Sequence, residues 1–245
     1  MKGLILAAGI GNRLYPVTKK IPKCLIKVGK KRILEHILDG FDYAGIKEVI
    51  IIVGFNKEKV KEKIGTSYRG LNICYGVNDF FKSTNNLYSL WCAKEFIDGP
   101  FIQCHGDIIP NREIIKKVLD SPLEDAVVID SNPKNMVEDA NRVKMQNGKI
   151  IDINKILLLN ESAGRAFGIY KFSKQSAIDY YKHIEQNVYK HLNAGFEIGL
   201  RPLLKEKNFQ PLDINGYPFA EIDTISDLKE ARKKIKSILE YDKKF

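Results

Sequence analysis

Two regions of the sequence hold residues whose types could act on phosphates. Near the N-terminus an apolar run ends in Ala7-Ala8-Gly9-Ile10-Gly11-Asn12-Arg13-Leu14. Small residues at the carboxyl end of a first strand let the backbone approach a ligand closely, and exposed N–H groups there can cradle phosphate oxygens. Arg13 and Lys23 add cationic side chains to the same loop. Much later, Asp107 and Asp223 close two runs that read as strands, FIQCHGD and YPFAEID. Carboxylates at strand ends lie on the carboxyl edge of an open α/β sheet, where ligands bind. Mg²⁺ prefers oxygen ligands and needs only one or two carboxylates, with phosphates and waters completing its shell. Each Asp can equally be a turn or cap residue, and a bare Gly-x-Gly has many uses.

The elements that must position these residues can be read from the hydrophobic pattern. GLILAA (3–8) is a short apolar run ending in Gly, and VIIIV (49–53) is β-branched and continuous, as strands buried on both faces are. LNICYG (71–76) and FIQCHGD (101–107) are further strands. Helices are predicted over 33–44, 57–64, 86–97 and 112–119, with Gly45 ending the first and Asn85 or Asn86 capping the third. Strand and helix therefore alternate four times, which predicts an open, mostly parallel, doubly wound α/β sheet flanked by helices. The second half differs. AVVI (126–129) and AFGIYKF (166–172) are strands, and Asn147-Gly148 sits between two alternating runs over 142–154, as in a two-residue hairpin. Helices are expected over 174–186, 189–206 and 226–240, with a second hairpin or turn at Asn215-Gly216. One domain over 1–245 is the expectation, with an antiparallel portion inserted. Its divisions are a nucleotide-binding half (about 1–110), an acceptor-binding half (about 111–225) and a C-terminal helix (226–245).

Composition narrows the possibilities. The chain has 245 residues, 44% of them apolar and 29% charged, which is enough for a buried core and argues against disorder. The longest stretch without a charged side chain is 11 residues, Ser83 to Ala93, too short to span a bilayer. MKGLILAAG runs straight into Gly-rich, basic sequence and does not read as a signal peptide. Cys24, Cys74, Cys92 and Cys104 form no CxxC pair, so a reduced, cytoplasmic protein is expected. The net charge is +10, and residues 1–32 hold nine basic residues and no acidic one, so nearly all the excess lies there. That segment either meets a polyanion or is a solvated basic face. A nucleic-acid module would show a basic stripe with interleaved aromatics or a known motif, and neither is visible.

The Gly-rich loop does not fit two familiar patterns. A dinucleotide fingerprint needs a third Gly where Leu14 stands, and a carboxylate after the second strand where the chain has Val53-Gly54-Phe55-Asn56. A P-loop needs Gly-Lys-Ser/Thr, which does not follow. The whole segment LILAAGIGNRLYPVTKKIPKCLIKVGKKRILEH instead resembles the signature of nucleotidyltransferases that join a nucleoside triphosphate to a phosphorylated acceptor. The family pattern L-A-A-G-x-G-x-R-L-x-P-x-T, then P-K-x-L, is matched by Leu6 to Gly9, Gly11, Arg13, Leu14, Pro16, Thr18, Pro22, Lys23 and Leu25. The likeness continues through Ala44-Gly45-Ile46, Ile51 to Phe55, His105-Gly106-Asp107 and Glu221-Ile222-Asp223-Thr224. Ser83 to Leu90 resembles the TN-x-x-YSL segment of the branch typified by phosphocholine cytidylyltransferases. Sugar-1-phosphate branches carry a Glu-Lys-Pro where this chain has Glu161-Ser162-Ala163-Gly164-Arg165, which favours a smaller acceptor.

The resemblance implies attack by an acceptor phosphate on the α-phosphorus of CTP, with Mg²⁺ on Asp107 and Asp223. Lys23 would contact the α-phosphate or the acceptor phosphate, and Arg13 the β- and γ-phosphates. With Asp107 these two are the expected catalytic residues. Leu6, Ala7, Ala8, Gly9, Gly11, Asn12, Gly54, Thr84, Asn85 and Ser89 complete the expected nucleotide site, although one Asn could simply cap a helix. Glu161, Gly164, Arg165 and Glu221 are the expected acceptor side. Trp91, Tyr170 and Tyr217 are available to a cationic amine, the first two more naturally as core. No general base is required, since the acceptor phosphate is already ionised. His105 is expected as a packed strand residue and His36 on a surface-facing helix position, while His183 and His191 show no partner pattern in the sequence. The partners expected are CTP or another nucleoside triphosphate and a small phosphorylated acceptor, with no nucleic acid and no membrane insertion. Rival expectations are a sugar-1-phosphate uridylyl- or thymidylyltransferase and a non-catalytic nucleotide-binding domain. A homodimer stays open.

Overall fold

The structure, a computed structural model, describes residues 1–133, 140–214 and 216–241. In chain order the first half runs β1 (Lys2–Ala7), β2 (Lys27–Val28), β3 (Lys31–Arg32), α1 (Ile33–Ala44), β4 (Glu48–Val53), α2 (Lys57–Ile64), β5 (Ser67–Tyr68), β6 (Leu71–Val77) and α3 (Asn86–Trp91). It continues through β7 (Phe101–His105), β8 (Ile108–Pro110), α4 (Arg112–Asp120), β9 (Ala126–Asp130), β10 (Arg142–Gln146) and β11 (Lys149–Asn154). The last part is β12 (Gly164–Phe172), α5 (Lys174–Asn187), α6 (Glu197–Glu206), β13 (Gln210–Asp213), β14 (Phe219–Glu221) and α7 (Ile225–Glu240).

β7, β1, β4 and β6 lie side by side and are all parallel, as the fourfold strand–helix alternation predicts. The sheet is therefore α/β and mostly parallel in this half, with helices on both faces. Its apolar runs are continuous because both faces are covered. Ile5 and Ala7 of β1, with Val49, Ile51 and Val53 of β4, face a core shared with α1, α4 and α7. Leu4 and Leu6, with Ile50 and Ile52, face the core of α3, α5 and α6. Gly40 lets α1 approach α4, since a Cβ there would lie 2.7 Å from Ile115 Cδ1.

Beyond β7 the pairing turns antiparallel. β12 pairs β7 through residues 169–172 and β10 through residues 164–165, while β9 runs antiparallel along its other edge. β12 thus changes neighbours part-way along one edge, and residues 166–168 span the changeover. Asn147 (φ 52°) and Gly148 (φ 75°) form the tight turn of the β10–β11 hairpin, as their types require.

Four expectations need correction. The helix expected over 86–97 ends at Trp91 and resumes only as a short 3₁₀ turn at Lys94–Phe96. The helix expected over 189–206 begins at Glu197. Residues before it instead supply carbonyls to the opening of α3, with Asn85 N–H donating to Leu192 O (3.1 Å) and Leu87 N–H to Ala194 O (3.3 Å). The runs around residues 210–221 do not pair with each other: β13 pairs β9 and β14 pairs β8. Asn215 of the expected turn lies outside the described residues.

The fourth correction is His36, which is 3% exposed rather than on the surface. Its Nε2 lies 2.9 Å from Val28 O, an N–H donation to a carbonyl of β2. Burial holds the imidazole below its ordinary pKa, only partly offset by that hydrogen bond. The unfolded chain then takes up a proton below about pH 6.5 while the folded chain does not. Stability is therefore expected to fall as pH drops below that value, levelling once the folded imidazole titrates too. Urea midpoints at pH 7.5 and 5.5 check this, and in His36→Gln the share of the pH dependence owed to this imidazole disappears.

Candidate active site

The residues expected on the phosphate side come together around the loop after β1 and the carboxyl end of β7. Gly54 sits directly against the first loop: a Cβ there would lie 2.7 Å from Ala8 O. Gly106 does the same for Leu6, whose carbonyl accepts its N–H at 2.9 Å and would be 2.5 Å from an added Cβ. These two contacts draw the ends of three strands together, and Asp107 follows immediately. Gly11 turns the loop at φ 74°, with the Lys23 side chain packed against it. Nothing lies within 4 Å of a Cβ built on Gly9, so this part of the loop is open. Leu6, Ala7 and Ala8 are buried, while Asn12 is exposed.

Lys23 Nζ lies 3.0 Å from Asp107 Oδ2 and 2.6 Å from Asp223 Oδ1. Arg13 Nη2 lies 3.0 Å from the other oxygen of Asp223. Residues 84 and 200 positions apart in the chain thus share one ammonium. Burial works against the charge on Lys23, but Asp107 and Asp223 outweigh it and hold the ammonium above the usual lysine range. Burial likewise opposes ionisation of Asp107, and Lys23 reverses that, so its carboxyl stays below the ordinary value.

A divalent cation fits these residues. Asp107 Oδ1 is buried and has no hydrogen-bond partner, an orphaned acceptor beside a second carboxylate. Among the described residues no group of three or more His, Cys, Asp or Glu side chains gathers to hold a metal. Mg²⁺ takes most of its shell from phosphates and water and needs only one or two carboxylates.

A cavity of about 600 Å³ opens beside the pair, at the changeover on β12. Arg13, Asn85, Asp107, Arg165, Glu221 and Asp223 line it, so it reaches from the phosphate side to the expected acceptor side. Arg165 is buried (5% exposed) and its Nη2 donates to Glu221 Oε2 at 2.6 Å, with Phe219 beneath the guanidinium. Desolvation pushes the Glu221 carboxyl up, Arg165 partly offsets this, and Asp107 and Asp223 add to it.

Other expected residues stand elsewhere. Thr84 and Ser89 do not line the cavity; buried Asn78 donates to both hydroxyls at 3.1 Å and so ties the segment before α3 to the helix itself. Asn85 caps α3 through its Oδ1, as its alternative role required, while also reaching the cavity. Glu161 is exposed and pairs with Lys144 at 3.3 Å, away from the cavity, and Gly164 packs against Asp130 O. Trp91 stacks edge-on with Tyr189, and Tyr217 lies against Tyr241, so neither faces it. Tyr170 and His105 do line it, both packed against Phe196. Asn141, Phe196, Glu197 and Arg201 also line the cavity and went unmarked in the sequence, where no motif or spacing sets them apart.

A family model described as nucleotidyl transferase matches residues 2–181. The chain belongs to the nucleotidyl transferase family. It is 29% identical to CTP:phosphoglutamine cytidylyltransferase of Campylobacter jejuni, over 94% of this chain and 98% of that one. It is also similar to the solved CTP:phosphocholine cytidylyltransferase of Streptococcus pneumoniae, with a TM-score of 0.75 and 25% identity over 96% of this chain and 98% of the other. A UDP-glucose pyrophosphorylase solved with UDP-glucose shares the fold at a TM-score of 0.81 and 17% identity, covering 96% and 98% of the two chains. As a member of this family the chain is an enzyme, a nucleotidyltransferase. No helix among the described residues is long and apolar enough to cross a membrane.

Proposed function

We propose that this nucleotidyltransferase moves a CMP group from CTP to a small phosphorylated acceptor and releases pyrophosphate, with Mg²⁺ bound by Asp107 and Asp223. The observation that carries this reading is the meeting of Lys23, Asp107 and Asp223, with Asp107 Oδ1 left unpartnered. Both substrates are anions, so their approach is the barrier the residues must lower. Mg²⁺, when bound, neutralises charge on the transferring phosphoryl group and orients its oxygens. Lys23 turns its ammonium from the two carboxylates toward phosphate, and Arg13 meets the outer phosphates from the open side of the loop. An acceptor phosphate oxygen forms the new bond to the α-phosphorus as the bond to the β-phosphate oxygen breaks. No proton has to move, because the attacking phosphate is already ionised. The cytidylyltransferase names of the relatives that align along nearly the whole chain support CTP as donor. The family's smaller-acceptor branch is supported by the absence of Lys-Pro after Glu161.

The test is Mg²⁺-dependent pyrophosphate release, with CTP, UTP, dTTP, ATP and GTP crossed against phosphocholine, phosphoethanolamine, 2-aminoethylphosphonate, glycerol 3-phosphate, inositol 1-phosphate and glucose 1-phosphate. Release with CTP and one small acceptor is the expected result. Release only with a sugar phosphate keeps the family and overturns the acceptor. On this reading Arg165, held by Glu221, contacts the acceptor. Arg165→Met is therefore expected to raise the acceptor KM about tenfold, the worth of one charge-assisted hydrogen bond, with the CTP KM unchanged. An equal rise in both KM values would remove Arg165 from the acceptor side.

A further inference from the structure

The cavity has a second group of polar atoms away from the Lys23 pair. Tyr170 is 1% exposed, and its hydroxyl has no hydrogen-bond partner. His105 Nε2 is likewise buried and unpartnered. Both rings line the cavity and both pack on Phe196, with centroids 5.1 Å and 4.9 Å from it. Gly168, at φ 80°, brings the β12 backbone so close that an added Cβ would lie 3.1 Å from the His105 ring, which fixes the ring in place. Glu197, the first residue of α6, also lines the cavity and makes no ion pair or hydrogen bond among the described residues. It follows directly on Phe196, the residue on which both rings pack.

We propose, resting on the acceptor reading above, that the acceptor carries a primary ammonium seated among Glu197, Tyr170 and His105. A carboxylate, a phenol oxygen and an imidazole nitrogen can each accept a hydrogen bond, and a primary ammonium offers three N–H groups. The aromatic faces of Phe196 and Tyr170 favour a cation as well. A quaternary ammonium satisfies the faces but leaves the hydroxyl and the ring nitrogen without partners, at a cost for each. An uncharged alkyl end leaves Glu197 desolvated and unpaired.

The test is titration calorimetry with Mg²⁺ and a non-hydrolysable CTP analogue present. The ligands are phosphoethanolamine, its uncharged isostere n-propyl phosphate, and phosphocholine. Phosphoethanolamine is expected to bind about tenfold more tightly than either of the others. In Tyr170→Phe, which keeps the ring, and in Glu197→Gln, which keeps the shape, that preference shrinks to about threefold or less. Equal affinities, no detectable binding of any of the three, or a preference that survives both substitutions overturns the proposal. The outcome separates from that of the transfer reading. Pyrophosphate release by a protein with no ammonium preference sinks this inference and keeps the transfer. An ammonium preference in a protein that releases no pyrophosphate does the reverse.

Discussion

Asp107→Ala is expected to lower kcat by about 10³-fold, roughly 4 kcal/mol of transition-state stabilisation, while the fold persists. Two features set the size. The carboxylate follows Gly106, whose close contact with Leu6 O fixes the turn that carries it. Its Oδ1 is a buried, unpartnered carboxylate oxygen, so removing it removes an atom well placed for a cation. The fold should tolerate the change because the Asp107 side chain keeps 29% of its exposure and Lys23 still has Asp223 at 2.6 Å. Steady-state pyrophosphate release and a urea midpoint make the two measurements. Activity within tenfold of the native enzyme would falsify the assignment of Asp107 to the metal. Lost activity together with a collapsed urea midpoint would show a folding defect instead.

The second large effect separates stability from catalysis. Lys23 is 14% exposed at its side chain and lies between two carboxylates that otherwise repel each other. Lys23→Met keeps the aliphatic packing against Gly11 and removes only the charge. The metal-free variant is then expected to lose about 3 kcal/mol of stability, as when one partner is taken from a buried ion pair. Millimolar Mg²⁺ should restore much of it, because the cation replaces the missing positive charge between Asp107 and Asp223. Transfer should still fall by about 10³-fold at saturating Mg²⁺, since the phosphate has lost its contact. Thermal melts with EDTA and with Mg²⁺ read the first part and initial rates the second. A variant whose melting point ignores Mg²⁺ would mean that the two carboxylates do not share a cation.

The sequence carried the parallel half of the sheet because its strands are buried on both faces. Runs such as VIIIV have no other reading once a helix and a Gly follow. It carried the β10–β11 turn because Asn147-Gly148 is chemically suited to positive φ. It did not carry His36, since the partner that makes its burial tolerable is a carbonyl of the two-residue β2, too short to leave a pattern. Nor did it carry the start of α6. The loop before it is held by the opening turn of α3, a contact between segments about 107 residues apart that no local propensity encodes. Lys23 and the two aspartates were legible as loop and strand-end residues and as parts of the family pattern. Their spacing along the chain says nothing of their meeting on one nitrogen. Glu197 left no mark at all, being an ordinary first-turn carboxylate until Tyr170 and His105 are seen beside it.

The change of neighbours along β12 has a consequence for how such an enzyme can diversify. The ends of β1 and β7, which lead to the Lys23 loop and to Asp107, lie in the parallel ladder, where a shift of one residue would turn a whole face of side chains inside out. The β10–β11 hairpin joins β12 at only two register positions and otherwise lies outside that ladder. Its exposed turn at Asn147-Gly148 can change without disturbing the phosphate chemistry, while Val143, Ile150 and Ile153 stay in the core. On the reading proposed here, a lineage of these enzymes can exchange one acceptor for another at Arg165, Tyr170 and Glu197, which stand on β12 and α6 outside that ladder. The reaction itself is inherited intact.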